Sequence, residues 1–148
     1  MLKLAYTAIA LSIGIGFSVQ TTINAALARG IGSPVIAALI SFGVGFAALV
    51  GLSAVSGQFQ TWNGMRGIPI WMWLTGGLIG ASIVFCSLFL VPRIGVAALA
   101  AFVIAGQLTA AAVLDHYGLF GMPVHEINLW RIVGIVMLFA GAMLVRLN

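Results

Sequence analysis

Residues 4–28 read LAYTAIALSIGIGFSVQTTINAALA, a stretch without a single charge. As a helix rising about 1.5 Å per residue it spans about 37 Å, enough to cross a bilayer with tilt. Lys3 in front of it and Asn24-Ala25-Ala26-Leu27-Ala28 at its end also resemble the parts of a cleaved signal peptide. More hydrophobic spans follow, which favours an uncleaved first membrane helix.

The rest of the chain carries the same bias. Of 148 residues, 63% are hydrophobic and 5% charged, against a usual charged share of about 25%. Two acids and six bases cannot clothe a soluble globule of this length, and a mean hydropathy of +1.24 points to lipid as the solvent. The 19 glycines suit membrane helices that pack through small side chains. The length allows one transmembrane domain, residues 1–148. A net charge of +4 raises nucleic acid as a partner, but Lys3, Arg29, Arg66, Arg93, Arg131 and Arg146 are scattered singly and form no patch. They read instead as loop charges, and no nucleic-acid partner is expected. Cys86 is the lone cysteine, which excludes an internal disulfide and a cysteine metal cluster.

Turn chemistry divides the chain into five spans, at about 4–28, 34–56, 69–91, 94–114 and 129–145. Ser33 is placed to cap the second span and Pro34 fits its first turn. Pro92-Arg93-Ile94-Gly95 predicts a tight reversal. The fifth span is the short one, because Arg131 leaves only Ile132 to Val145 free of charge, below the roughly 20 residues a crossing needs. Snorkelling of Arg131 to the headgroups preserves the span; otherwise the chain has four helices and an interfacial segment. The fold expected is all-α and integral to the membrane, with five transmembrane helices and termini on opposite sides.

On that topology Lys3, Arg66 and Arg131 share one face, and Arg29, Arg93 and Arg146 the other. An even division gives the positive-inside rule nothing to act on, as in a protein inserted in both orientations. Trp62, Trp71, Trp73, Trp130, Tyr6 and Tyr117 all fall on the first face. An antiparallel pair would give both interfaces an aromatic belt.

No catalytic constellation emerges, and no enzyme activity, cofactor or metal is expected. Gly14-Ile15-Gly16 and Gly43-Val44-Gly45 lack the third glycine of a dinucleotide loop. His116 and His125 lack zinc-protease spacing, and neither Cys86 nor the serines have a base in sequence reach. The informative residues are polar ones that lipid penalises. Gln20 and Asn24, four apart, project from one face of the first helix about 40° apart. They read as interhelical glue or as the lining of a substrate cavity. Gln107, Ala111 and Asp115 form one stripe of the fourth helix, with Asp115 and His116 where that stripe meets the loop. Asp115 and His116 are candidates for proton or substrate coupling, or Asp115 serves as a cap at the interface. Gly76/Gly80, Gly77/Ala81 and Gly14/Ser18 fit the small-xxx-small pattern of close helix packing. Phe85 and Phe89 read either as cavity wall or as lipid-facing.

Gly32-Ser33-Pro34 leading into Ala37-Ala38-Leu39-Ile40-Ser41-Phe42-Gly43-Val44-Gly45, then Pro92-Arg93-Ile94-Gly95, resembles the YdcZ-type family of five-helix proteins in the drug/metabolite transporter superfamily. Gly106-Gln107-Leu108 and Asp115-His116-Tyr117-Gly118-Leu119-Phe120-Gly121 strengthen the resemblance, which covers essentially the whole chain. It implies a multi-pass protein of the bacterial cytoplasmic membrane that exports a small molecule. Four-helix relatives couple export to protons through a glutamate in their first helix; the first span here has no carboxylate, so that mechanism does not carry across. Larger relatives resemble two five-helix halves in tandem, and fusing an odd-helix unit inverts the second copy. The expectation is an antiparallel homodimer with Gln20, Asn24 and Gln107 lining a shared cavity. The rival is a non-transporting scaffold or accessory subunit that binds another membrane protein through its small-residue faces.

Overall fold

A computed structural model describes residues 2–58 and 68–147, with side chains described from Ala5 onward. Arg66, Trp62 and the side chain of Lys3 lie outside the described residues. The described residues form five long helices and no strand: α1 (Leu2–Ile31), α2 (Pro34–Val55), α3 (Ile70–Ile94), α4 (Val96–Tyr117) and α5 (Leu129–Leu147). All five are long and apolar enough to cross a membrane. The protein is an all-helical, five-span membrane protein.

Where side chains face outward they are oily. Ile13, Val44, Leu78 and Met137 are each more than 60% exposed, an arrangement that water would penalise and lipid does not. The buried apolar positions are mostly small: Ala25 and Ala28 on α1, Ala37 and Ala38 on α2, Ala98, Ala105 and Ala112 on α4, and Ala142 on α5, with Leu88 and Val91 of α3 and Leu99 of α4 the larger ones. With no hydrophobic drive between helices in lipid, close backbone approach through such residues supplies the packing. The seven-residue spacing of Ala98, Ala105 and Ala112 returns each to the same side of α4.

The helices fall into two compact units, Met1–Pro92 and Arg93–Asn148. In the first, α1 runs one turn past the expected end at Ala28 and stops where Gly32 takes φ +78. The backbone N–H groups of Gly32 and Ser33 both donate to the Ala28 carbonyl, at 2.9 and 3.1 Å. Ser33 then caps α2, its hydroxyl oxygen accepting from the Ile36 N–H at 3.3 Å, with Pro34 in the first turn. Two residues thus reverse the chain and lay α2 against α1.

Two expected boundaries move. The reversal predicted over Pro92–Gly95 narrows to Gly95, at φ +80, because α3 continues through Pro92 to Ile94. A proline in the final turn removes one helical hydrogen bond without forbidding the helical φ of the residues after it. The fourth helix extends past Leu114 to Tyr117, so Asp115 and His116 sit in its last turn rather than in the loop.

The second unit is the α4–α5 hairpin. Gly118 ends α4 in the left-handed conformation, φ +57 and ψ +34, and its N–H returns to the Asp115 carbonyl at 3.3 Å. A short 3-10 turn, Leu119–Gly121, follows with Phe120 at φ +59 and Gly121 at φ +77. A Cβ placed on Gly118 would meet Val124 Cγ2 at 2.7 Å and the Met122 carbonyl oxygen at 3.2 Å. Glycine is required there twice over, by conformation and by space. Gly118→Ala should lower stability by about 1–2 kcal/mol from the left-handed φ alone, with the contact adding to it. Val124→Ala in the same chain should recover only the added part, read as the thermal unfolding midpoint in detergent.

Candidate functional site

The polar side chains of α1 divide into those that satisfy themselves and those that do not. Ser12, Ser18, Thr21 and Thr22 donate their hydroxyls to the carbonyls of Ala8, Gly14, Phe17 and Ser18, at 2.8–3.3 Å. A hydroxyl bonded back into its own helix tolerates lipid. Asn24 has no such recourse, and it is buried to 7% exposure with Nδ2 donating to Ser41 Oγ of α2 at 3.0 Å. This is the glue expected of an amide between packed membrane helices. Gln20, one turn earlier, is exposed and has no hydrogen bond among the described residues.

Gln20 stands on the boundary of two spaces in the first unit. A narrow gap of about 10 Å³ is lined by Phe17, Gln20, Thr21 and Asn24 of α1 with Val84, Ser87 and Leu88 of α3. A larger, laterally open cavity of about 390 Å³ is lined by Gln20, Val84 and five residues of α2: Ser41, Phe42, Gly45, Phe46 and Leu49, of which Phe46 and Leu49 are 71% and 65% exposed. Its depth follows from position along the helices. Gln20 lies eleven residues before the end of α1, about 16 Å at 1.5 Å per residue; Gly45 is at the middle of α2 and Val84 near the middle of α3. The larger cavity therefore sits near mid-membrane. Its walls offer two uncharged polar groups, two aromatic rings and no ionisable side chain.

The expected small-residue contacts are mostly open within the chain. A Cβ on Gly14, Gly76 or Gly77 would meet nothing within 4 Å, whereas one on Gly80 would come within 3.8 Å of the Phe42 ring. Ser18 carries the back-bond to Gly14, and Ala81 is exposed. Phe85 and Phe89 are 41% and 47% exposed and are not among the walls of the larger cavity, which takes its rings from Phe42 and Phe46.

In the second unit, Gln107 is at the centre of α4, exposed and without a hydrogen bond among the described residues. Asp115 and Arg131 meet at the connected end of the hairpin, Oδ2 to Nη1 at 3.5 Å, each side chain a little over one third exposed. The same Nη1 donates to the His125 carbonyl at 3.2 Å, and the His125 N–H donates to the Asp115 carbonyl at 2.9 Å. The Ile127 N–H donates to His116 Nδ1 at 3.3 Å. Asn128 Oδ1 accepts from the Arg131 N–H at 2.9 Å and caps α5. Below the ion pair a cavity of about 210 Å³ is walled by Leu108, Ala111, Ala112, Gly134 and Ile135. Arg131 thus enters α5 paired rather than bare, which is how a span with only 14 charge-free residues, Ile132 to Val145, remains apolar enough to cross. Among the described residues no group of three His, Cys, Asp or Glu could hold a metal.

A family model described as "Putative inner membrane exporter, YdcZ" matches residues 5–144. The chain belongs to the YdcZ family. That family is one of membrane exporters rather than enzymes, and with five apolar helices it makes this chain a multi-pass inner-membrane protein. No curated protein and no solved structure matches it.

For a YdcZ-family exporter, the α1 amides are the residues that sequence reading singled out and the structure brings together. Gln20 and Asn24 share one gap, while Gln107 belongs to the other unit. Asp115 and His116 are drawn into the hairpin's own bonding. Ser41, Phe42, Gly45, Phe46 and Leu49 were missed as site residues. Their signal is the i, i+4 repeat along one side of α2, Ser41–Gly45–Leu49 with Phe42–Phe46, inside a stretch that otherwise reads as uniform apolar helix. The Asn24–Ser41 bond gives a direct measurement. A double-mutant cycle of Asn24→Ala with Ser41→Ala should return a coupling of about 0.6–2 kcal/mol in detergent unfolding, where the same cycle between Gln20 and Ser41 returns close to none.

Proposed function

We propose that this chain exports a small molecule across the bacterial cytoplasmic membrane as a homodimer, by alternating access around the mid-membrane cavity of α1, α2 and α3, with residues 1–148 acting as one transport domain. The observation that carries the reading is Gln20. An amide moved into hydrocarbon without a partner costs about 2–7 kcal/mol, and Gln20 stands exposed on the wall of a cavity of about 390 Å³. Water or a ligand there removes the penalty. Gln107 poses the same problem in α4, within the second unit.

Several features support a second copy in antiparallel orientation. Five crossings place the termini on opposite sides, so only an inverted partner gives the two-fold symmetry on which alternating access is commonly built. The open faces at Gly14, Gly76 and Gly77 accept close approach by another helix. Asp115 is first a brace for the hairpin through Arg131; coupling through it would require an arriving proton to release that pair. The Asn24–Ser41 bond, a helix-to-helix link with no ligand in it, and the same open small-residue faces are the observations that favour a non-transporting scaffold.

Flux separates the two readings. A compound chosen because it stabilises the purified protein should move through reconstituted liposomes, and Gln20→Leu and Gln107→Leu should each reduce that flux at least tenfold while the dimer persists. Unchanged flux in both variants removes the amides from the pathway, and no flux with any stabilising compound leaves the scaffold. Reporters fused to the C-terminus, each active on one side of the membrane only, should both give signal; exclusive one-sided labelling excludes the antiparallel form.

A further inference from the structure

We infer that the mid-membrane cavity selects uncharged molecules that carry a flat apolar body and one amide-like polar edge, and that it rejects cations and anions alike. This rests on the reading of that cavity as the substrate site. Three observations lead to it.

The first is charge. The stretches 4–28, 34–56 and 69–91 contain no acidic or basic residue, and α1, α2 and α3 supply every wall of the cavity. A charged ligand at that depth would find no counter-ion on these stretches, Arg29 and Arg93 lying in the last turns of α1 and α3, and an unpaired ion in low dielectric is the costliest species to place there. Phenylalanine faces attract cations, but Phe42 and Phe46 stand without a carboxylate to complete such a site.

The second is the state of the polar groups. Ser41 Oγ already accepts from Asn24 Nδ2 at 3.0 Å, and its hydroxyl proton goes to no acceptor among the described residues. Most serines and threonines of these helices behave otherwise: Ser12, Ser18, Ser82 and Ser87 each donate to the carbonyl four residues back. Asn24 therefore holds Ser41 as a donor toward the cavity, while Gln20 offers both a donor and an acceptor. A ligand edge with an acceptor beside a donor, as in a carboxamide or lactam, matches that pair.

The third is room. Phe42 and Phe46, four residues apart, present two rings from α2, and Gly45 lies between them in sequence. A Cβ on Gly45 would meet nothing within 4 Å, as at Gly14, Gly76 and Gly77, so a larger side chain there would project into the cavity that this residue lines. At about 390 Å³ the cavity falls in the size range of small-molecule sites.

The test uses three near-isosteres that differ in charge: 2-naphthamide, the 2-naphthamidinium cation and 2-naphthoate. Binding to the full chain in lipid nanodiscs is measured by saturation-transfer NMR and corrected against empty nanodiscs. The amide should bind at least tenfold more tightly than either ion, and Gly45→Leu and Gln20→Leu should each weaken it at least tenfold. Gly45→Ser, which projects less side chain into the cavity, should fall between wild type and Gly45→Leu and guards against a folding defect in the larger substitution. If an ion binds as tightly as the amide and Gly45→Leu abolishes it, the selectivity is overturned while the site stands. If Gly45→Leu changes no probe's binding, or no probe binds, both the selectivity and the site fall. If Gly45→Leu dissociates the dimer and leaves amide binding intact, the face is a subunit interface and the inference is likewise overturned.

Discussion

Hydrocarbon supplies no hydrogen bonds, and that constraint orders everything else in this chain. Each polar group must bond within its helix, bond to another helix, or stand where water or a ligand reaches it. The backbone meets the demand by being helical throughout the spans. The hydroxyls meet it by bonding to the carbonyl one turn back, as Ser12, Thr21, Thr22, Ser87 and Thr109 do. Amides cannot be satisfied so locally, because each carries two donors and an acceptor. The three mid-span amides are therefore where structure and function separate: Asn24 is spent on Ser41, and Gln20 and Gln107 are left over.

The same constraint explains why the buried apolar positions are mostly alanine. Burying a large apolar side chain gains little when the alternative is lipid, so most of the buried residues are ones that let backbones approach, with Leu88, Val91 and Leu99 the larger ones. Most of the large side chains are turned outward to the solvent they suit. It also explains the hairpin between α4 and α5. Asp115, Arg131, His116 and Asn128 lie at the helix ends, where charges and ring nitrogens can reach the interface, and they bond mainly to one another and to the connecting backbone. Arg131 enters α5 as half of a pair, which removes the objection that its charge shortens the last span.

Much of this was legible in the sequence because lipid imposes so coarse a pattern. Charge-free runs and turn residues gave five spans. Ser33 with Pro34 located the α1–α2 reversal, since an N-cap hydroxyl and a proline fit only there. The boundaries at Ala28 and Leu114 were short by three residues each, because Arg29, Asp115 and His116 look like loop residues yet sit in final turns, where polar side chains reach past the helix end. Pro92 misled in the other direction: its missing N–H says where a hydrogen bond is lost, not where the helix stops. The polar residues Gln20 and Asn24 were conspicuous, but their different fates were not, because one bond to Ser41 distinguishes them and no spacing rule links α1 to α2. Phe42 and Phe46 were hidden for the opposite reason. In a span where nearly every residue is apolar, a cavity wall and a lipid-facing side look alike.

The absence of charge from the first three spans bears on energetics as well as on recognition. A neutral cargo carries no charge through the membrane field, so the membrane potential does no work on it directly. Export against a gradient would then need a coupled ion, and the groups able to exchange one lie elsewhere. The Asp115–Arg131 pair lies in the second unit, where it braces the α4–α5 connection. Arg131 Nη1 also holds the His125 carbonyl, and the His125 N–H holds the Asp115 carbonyl. Release at the pair would therefore pass to the whole α4–α5 connection rather than to one side chain. The charge-free stretches of the first unit and the ion pair of the second thus divide the polar chemistry of the chain between them.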